Sequence, residues 1–203
     1  MLLSPRLDEA IKLASHLHRL QVRKDSLLTP YISHLVGVAI LIASVTDDED
    51  VIIAGLLHDS LEDVPHYSYD QLVIDCGERV AGIVVHVTEP LDANKSDEDQ
   101  LPWLTRKEFY LDKLRSGGVE SAIVSAADKV HNTESFVRDY KKEGEVYARR
   151  FGSSIKNRAW FHEQVLTIVE EKLGTQHALV VRFKEAMEIF RQVSVVKVPS
   201  IFI

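Results

Sequence analysis

Residues His58-Asp59-Ser60-Leu61-Glu62-Asp63 close an apolar run, Val51-Ile52-Ile53-Ala54-Gly55-Leu56-Leu57. An imidazole and three carboxylates at the end of a buried helix need an explanation, because an unpaired buried carboxylate costs several kcal/mol. A cation opposite them resolves the cost, and a divalent metal ion is the simplest one. Side chains three or four apart share a helix face, so His58 should align with Glu62, and Asp59 with Glu62 and Asp63, as one ridge. A second apolar run, Ala122-Ile123-Val124-Ser125-Ala126-Ala127, ends in charge at Asp128-Lys129, with Asn132 one turn on. His34, near the start of an earlier helix, supplies another imidazole. Two His and two Asp make a nitrogen and oxygen donor set without sulfur, suited to Mn²⁺, Fe²⁺, Zn²⁺ or Mg²⁺ in hydrolysis. Water in an open position there would be acidified and aimed at phosphorus. Glu62 and Asp63, beyond what the ion needs, are candidates for general acid/base work.

The elements that must bring these residues together are helical almost throughout. Leu7, Ile11, Ala14, Leu17 and His18 share a face after Ser4 as cap and Pro5 at the first helical position. Pro30 disfavours helix at Thr29, so the next helix should begin near Ser33. Thr46-Asp47-Asp48-Glu49 fits a capping box opening the helix that carries the acidic cluster, and Ser68-Tyr69-Asp70-Gln71 fits a second, ended by Gly77. Residues 78 to 89 read as helix. The acidic stretch 92–100 reads as a solvated loop, and Thr105 leads a helix closed by Gly117-Gly118. Amphipathic helices follow at about 154–173 and 175–192, parted by Gly174, and the β-branched tail from Val193 should add a short strand or dock on a neighbour. The expectation is an all-α, single-domain helical bundle over residues 1–203. Of the other histidines, His16, His18, His66, His86, His162 and His177 read as surface or packing residues. His131, one turn after Asp128, can either pack or support a ligand.

Composition narrows the class of partner. The 203 residues are 45% apolar and 27% charged, enough for one good core and too polar to span a bilayer. A net charge of −7 argues against non-specific nucleic-acid binding, though not against a small anion in a local basic pocket. The single Cys76 offers neither an internal disulfide nor a zinc–thiolate site. The N-terminus lacks the pattern of a secretory signal, so a cytoplasmic protein without a membrane partner is expected, with a homo-oligomer left open.

The order His34 … His58-Asp59 … Asp128 resembles the HD phosphohydrolase superfamily. Arg23-Lys24-Asp25, then Thr29-Pro30-Tyr31-Ile32-Ser33-His34, then Leu56-Leu57-His58-Asp59-Ser60-Leu61-Glu62-Asp63, then Ala127-Asp128-Lys129-Val130-His131-Asn132, are similar to the hydrolase domain of Rel/SpoT-type enzymes and their small stand-alone relatives. The likeness covers residues 20 to 135; the last third carries no motif that aligns. It implies an Mn²⁺-dependent hydrolase removing the 3′-pyrophosphate of guanosine tetraphosphate or pentaphosphate. It also implies His34, His58, Asp59 and Asp128 as metal ligands, with Glu62 and Asp63 handling the attacking water. Arg23 would stack on the base, Lys24 would lie near ligand oxygens, Asn132 would contact ribose or phosphate, and Tyr31 would stand close by. The family usually has Pro after the first metal histidine; here it is Leu35, which alters the helix start, and Thr133 is a less familiar neighbour of Asn132. Two rivals remain at this level: an HD-type hydrolase of another nucleotide, such as a 5′-deoxynucleotidase, and a non-catalytic nucleotide-sensing domain.

Overall fold

The computed structural model describes residues 3–90, 100–151 and 153–195. Its helices are α1 (Pro5–Leu17), α2 (Ile32–Ala43), α3 (Glu49–Leu57), α4 (Ser60–Asp63), α5 (Tyr69–Cys76), α6 (Glu78–Val85), α7 (Trp103–Ser116), α8 (Val119–Glu143), α9 (Glu145–Ala148), α10 (Ile155–Leu173) and α11 (Ala178–Val195). Among the described residues the only β pairing is an isolated bridge between Val22 and Pro30. No described helix is long and apolar enough to cross a membrane. The all-α expectation holds.

Local chemistry sets most boundaries. Ser4 caps α1 by accepting from the Leu7 N–H at 3.0 Å, with Pro5 behind it where its missing N–H costs nothing. Ser68 and Ser154 cap α5 and α10 in the same way. Gly77 (φ 92°) and Gly174 (φ 88°) end α5 and α10 in a region that disfavours a side chain.

The axis of the molecule is α8, which packs against α2, α3, α10 and α11. Its first half is buried on nearly all faces, from Ser121 to Val130. Helix α3 is also buried over Val51–Leu57, and α2 lies tightly on it: a methyl group on Gly55 would stand 2.3 Å from Ile42 Cδ1. A smaller aromatic cluster, Phe136, Tyr140, Tyr147 and Phe190, joins the second half of α8 to α9 and α11.

Several boundaries differ from expectation. Asp48, not Thr46, caps α3, accepting from the Asp50 N–H at 3.1 Å while Thr46 Oγ1 accepts from the Asp48 N–H. The helix carrying the acidic cluster is not continuous: α3 stops at Leu57, His58 and Asp59 form a turn, and α4 is one turn long. Ser60 donates back to the Leu57 carbonyl at 2.6 Å, competing with the helical ladder there. The single ridge is therefore replaced by a bend. Asp128 does not end a helix; α8 runs on through it, because Asp128 finds partners inside the fold. Helix α2 starts at Ile32, α6 stops at Val85 and α7 starts at Trp103 behind Pro102. After Gly174, α11 begins only at Ala178 and takes in Val193–Val195 as helix rather than strand. Most of the acidic 92–100 stretch and the tail beyond residue 195 lie outside the described residues.

Candidate active site

The bend after α3 turns His58 and Asp59 towards α2 and α8. His58 Nδ1 lies 2.9 Å from the Gly55 carbonyl. A carbonyl only accepts, so Nδ1 carries a proton and Nε2 is the atom available to a ligand. That Nε2 stands 3.1 Å from Asp59 Oδ2 and 3.5 Å from Asp128 Oδ1. From α2, His34 brings its Nε2 to 3.2 Å from the same Asp128 oxygen and 3.6 Å from Asp59 Oδ2. The donor atoms of His34, His58 and Asp59 all lie within 4.8 Å of one another. Both imidazoles are buried, and neither Nε2 has an aligned hydrogen-bond partner. Atoms about 2.1 Å from a shared ion stand about 3 Å apart in adjacent positions and about 4 Å apart in opposite ones. The imidazole–carboxylate separations of 3.1 to 3.6 Å suit adjacent positions, and the orphaned nitrogens are what a cation would satisfy.

The electrostatics point the same way. Burial pushes the Asp59 carboxyl up, but the His58 and His34 imidazoles outweigh it and hold Asp59 below the usual range. Burial also opposes ionisation of Asp128, and Lys129 with the two histidines overcomes it. His58 is the converse: burial disfavours its charge, yet Asp59 and Asp128 raise it well above an ordinary imidazole. Two buried carboxylates thus demand positive charge at this point.

Glu62 and Asp63 face the same pocket from α4. Glu62 Oε2 accepts from the Glu89 N–H at 3.0 Å. Burial first, then the charges of Glu89, Asp63 and Asp59, push Glu62 well above the usual carboxylate range. Burial and Asp59 push Asp63 to about 7.

The opposite wall is cationic and aromatic. The pocket, about 360 Å³, is lined by Arg23, Lys24, Tyr147, Phe151 and Arg158 as well as the acidic groups. The Arg23 guanidinium lies over the Tyr31 ring at 5.6 Å, and Lys24 Nζ over Phe151 at 5.1 Å. Arg158 lies 4.3 Å from the Phe151 centroid and 5.2 Å from that of Phe136, and no carboxylate pairs with it among the described residues. Burial lowers Arg158 to about 10. Asn132 joins the walls, donating to Asp128 Oδ1 at 2.5 Å and accepting from Arg23 at 3.1 Å. Tyr31 donates to Asp59 Oδ2 at 2.7 Å, which gives this aromatic a polar duty beside its packing.

The structure therefore brings together all ten residues singled out from the sequence. It also places at the pocket or beside it residues that had no site role in the sequence. Lys129 is a buried cation paired with Asp128 and lying 5.0 Å from the Tyr110 centroid. Lys107 pairs with buried Glu89 and sits over Phe161 at 4.5 Å. His18 stacks on Tyr31, with centroids 5.4 Å apart, and lies 2.5 Å from Gln21 Oε1, while the Gln21 amide donates to the Asp63 carbonyl at 2.9 Å. His162 is buried and lines the pocket. The side chain of Lys129 was visible beside Asp128 in the sequence; Arg158 and His162 fall in the stretch that carries no alignable motif, and nothing local marked them.

An all-helical bundle in which imidazoles and carboxylates from α2, the α3–α4 bend and α8 meet beside a cationic pocket is the arrangement that the likeness to metal-dependent phosphohydrolases implies. The chain matches the HD domain family model over residues 10–154, and it belongs to that family. It is 33% identical over 132 residues to the guanosine-3′,5′-bis(diphosphate) 3′-pyrophosphohydrolase MESH1 of Mus musculus, covering 64% of this chain and 69% of that protein. It is 35% identical over 109 residues to the guanosine-3′,5′-bis(diphosphate) 3′-pyrophosphohydrolase of Haemophilus influenzae, covering 51% of this chain and 15% of that protein. The fold superposes on a solved metazoan ortholog of SpoT that hydrolyzes ppGpp, with a TM-score of 0.72, 24% identity and coverage of 97% of this chain and 99% of the other.

Proposed function

We propose that the chain is a metal-dependent phosphohydrolase that removes the 3′-pyrophosphate of guanosine tetraphosphate or pentaphosphate, giving GDP or GTP and pyrophosphate, with Mn²⁺ as its ion. The observation that carries the reading is the meeting of two orphaned, buried imidazole nitrogens with Asp59 and Asp128 at one point of a pocket whose other wall is cationic. Relatives named for this activity support the nucleotide.

In this reading His34, His58, Asp59 and Asp128 hold the ion, which supplies positive charge to a phosphoryl oxygen and lowers the pKa of water. Glu62 and Asp63, on the α4 turn, manage the protons of water and leaving group. Arg23, Lys24 and Arg158 hold phosphate oxygens, and the Arg23 guanidinium offers a planar face to the base. Tyr31 holds Asp59 in place, and Asn132 ties Arg23 to Asp128 while facing the sugar or a phosphate. The whole of residues 1–203 acts as one domain, with α10 supplying part of the cationic wall through Arg158.

The test is product analysis with purified protein and Mn²⁺ across a nucleotide panel. Stoichiometric pyrophosphate and GDP from guanosine tetraphosphate is the expected result. Orthophosphate from deoxynucleoside monophosphates instead, or tight nucleotide binding without turnover, would replace this reading with one of its rivals.

A further inference from the structure

His58 owes its orientation to a backbone carbonyl, but His34 has a different partner. His34 Nδ1 lies 2.9 Å from Nδ1 of His131, one turn beyond Asp128 on α8. Two imidazole nitrogens at that distance share one proton, so one ring donates and the other accepts. If His131 donated, His34 would carry its proton on Nε2 and point it at Asp128 and Asp59. Yet His34 Nε2 makes no aligned hydrogen bond to either. The remaining arrangement puts the proton on His34 Nδ1.

We infer that His131 is the positioning residue for His34: its bare Nδ1 accepts the His34 Nδ1–H and so presents the His34 Nε2 lone pair to the cation site. Gly37 on α2 completes the device. A methyl group there would stand 2.5 Å from His131 Nε2 and 2.6 Å from its Cδ2, so any larger residue displaces the ring. The rings of His34 and His131 are 4.8 Å apart at 57°, and α2 and α8 are packed partners, so the pair is held by the core itself. Histidine ligands of metals ordinarily donate their second N–H to a carboxylate, a carbonyl or water, which fixes the tautomer and raises basicity. A neutral imidazole fixes the tautomer while donating less charge than a carboxylate would. The ion held by His34 then keeps more of its Lewis acidity.

This inference rests on the proposed metal site, and the experiment separates the two. In the metal-free, ¹⁵N-histidine-labelled protein at neutral pH, NMR should show His34 protonated at Nδ1 and His131 at Nε2; the reverse tautomers would overturn the inference. Mn²⁺ affinity is then measured by competition with a chelator on variants shown by circular dichroism to be folded. His131→Leu and Gly37→Ala should each weaken binding by about 10- to 100-fold. His131→Asn, whose side-chain oxygen can stand where Nδ1 stood, should recover most of the loss. Wild-type affinity in His131→Leu would overturn the inference while leaving the metal site intact. A wild-type chain that binds no divalent ion would overturn the site itself, and the inference with it.

Discussion

The acidic wall of the pocket packs His34, His58, Asp59, Asp128 and Glu62 against one another, whereas the cationic wall hangs Arg23, Lys24 and Arg158 on aromatic faces. In the first, each group is held by a polar partner at hydrogen-bond distance: the Gly55 carbonyl for His58, Tyr31 for Asp59, Asn132 for Asp128, the Glu89 N–H for Glu62. In the second, Arg158 lies against the rings of Phe136 and Phe151, and no carboxylate pairs with it among the described residues. A wall whose groups are each oriented by a polar partner is preorganised for chemistry, which needs fixed geometry. Arg158, packed on aromatic faces with no carboxylate paired to it among the described residues, leaves its donors open to an anion. The difference predicts that damage to the first wall lowers turnover and damage to the second lowers affinity.

The sharpest way to break that contrast is Asp128→Ala. It should strip the divalent ion and lower kcat by about three orders of magnitude or more, on the scale of losing a whole catalytic group; an unchanged metal content and rate would remove Asp128 from the site. Glu62→Gln should keep the acceptor for the Glu89 N–H and the bound ion, yet slow the chemical step by about 10²- to 10⁴-fold. Single-turnover kinetics check this, and an unaffected rate would take Glu62 out of proton transfer. On the other wall, Arg158→Met keeps the packing on Phe136 and Phe151 but removes the charge. The loss of a charged hydrogen bond, about 1.5–3 kcal/mol, should raise KM by about 10- to 100-fold with little change in kcat. A fall in kcat at constant KM would erase the distinction between the walls.

The smallest effect concerns the seam between them. His162 is held well below its ordinary pKa of 6.5 by burial first, then by Arg158, Lys129 and Lys107, with Asp128 acting the other way. Its Nδ1 stands 2.8 Å from Thr133 Oγ1, which already donates to the Lys129 carbonyl, so the neutral ring donates there. The folded value lies below the unfolded one, so the unfolded chain takes up the proton first as pH falls below about 6.5. Stability attributable to His162 is therefore present above that pH and declines beneath it, by up to about 1.4 kcal/mol per pH unit. Denaturant melts between pH 7.5 and 5 should show a shallower acid-side decline for His162→Asn than for wild type. An identical slope would mean that His162 does not stay neutral in the fold.

The two walls also differ in how far the sequence announced them. The acidic wall was legible because its residues end or interrupt apolar runs, and charge in a buried run signals itself: His58-Asp59 after Leu57, Asp128 after Ala127. What the sequence could not show was the bend at Ser60, since periodicity alone continues the helix and predicts one ridge. Nor could it show that Asp128 lies inside a longer helix, because its partners come from α2 and the α3–α4 bend. The cationic wall was legible only at Arg23-Lys24, through the resemblance. Arg158 and His162 lie on an amphipathic helix where a cation or an imidazole normally faces solvent, and only tertiary packing turns them inward. His131 stood between packing and support, and the 2.9 Å contact with His34 is what favours support.

The most direct test of the account is crystallography of the protein with Mn²⁺, using anomalous scattering to locate the ion. The account predicts one strong peak about 2.0–2.3 Å from His34 Nε2, His58 Nε2 and carboxylate oxygens of Asp59 and Asp128. A peak held by other residues, or none at saturating Mn²⁺, would contradict it.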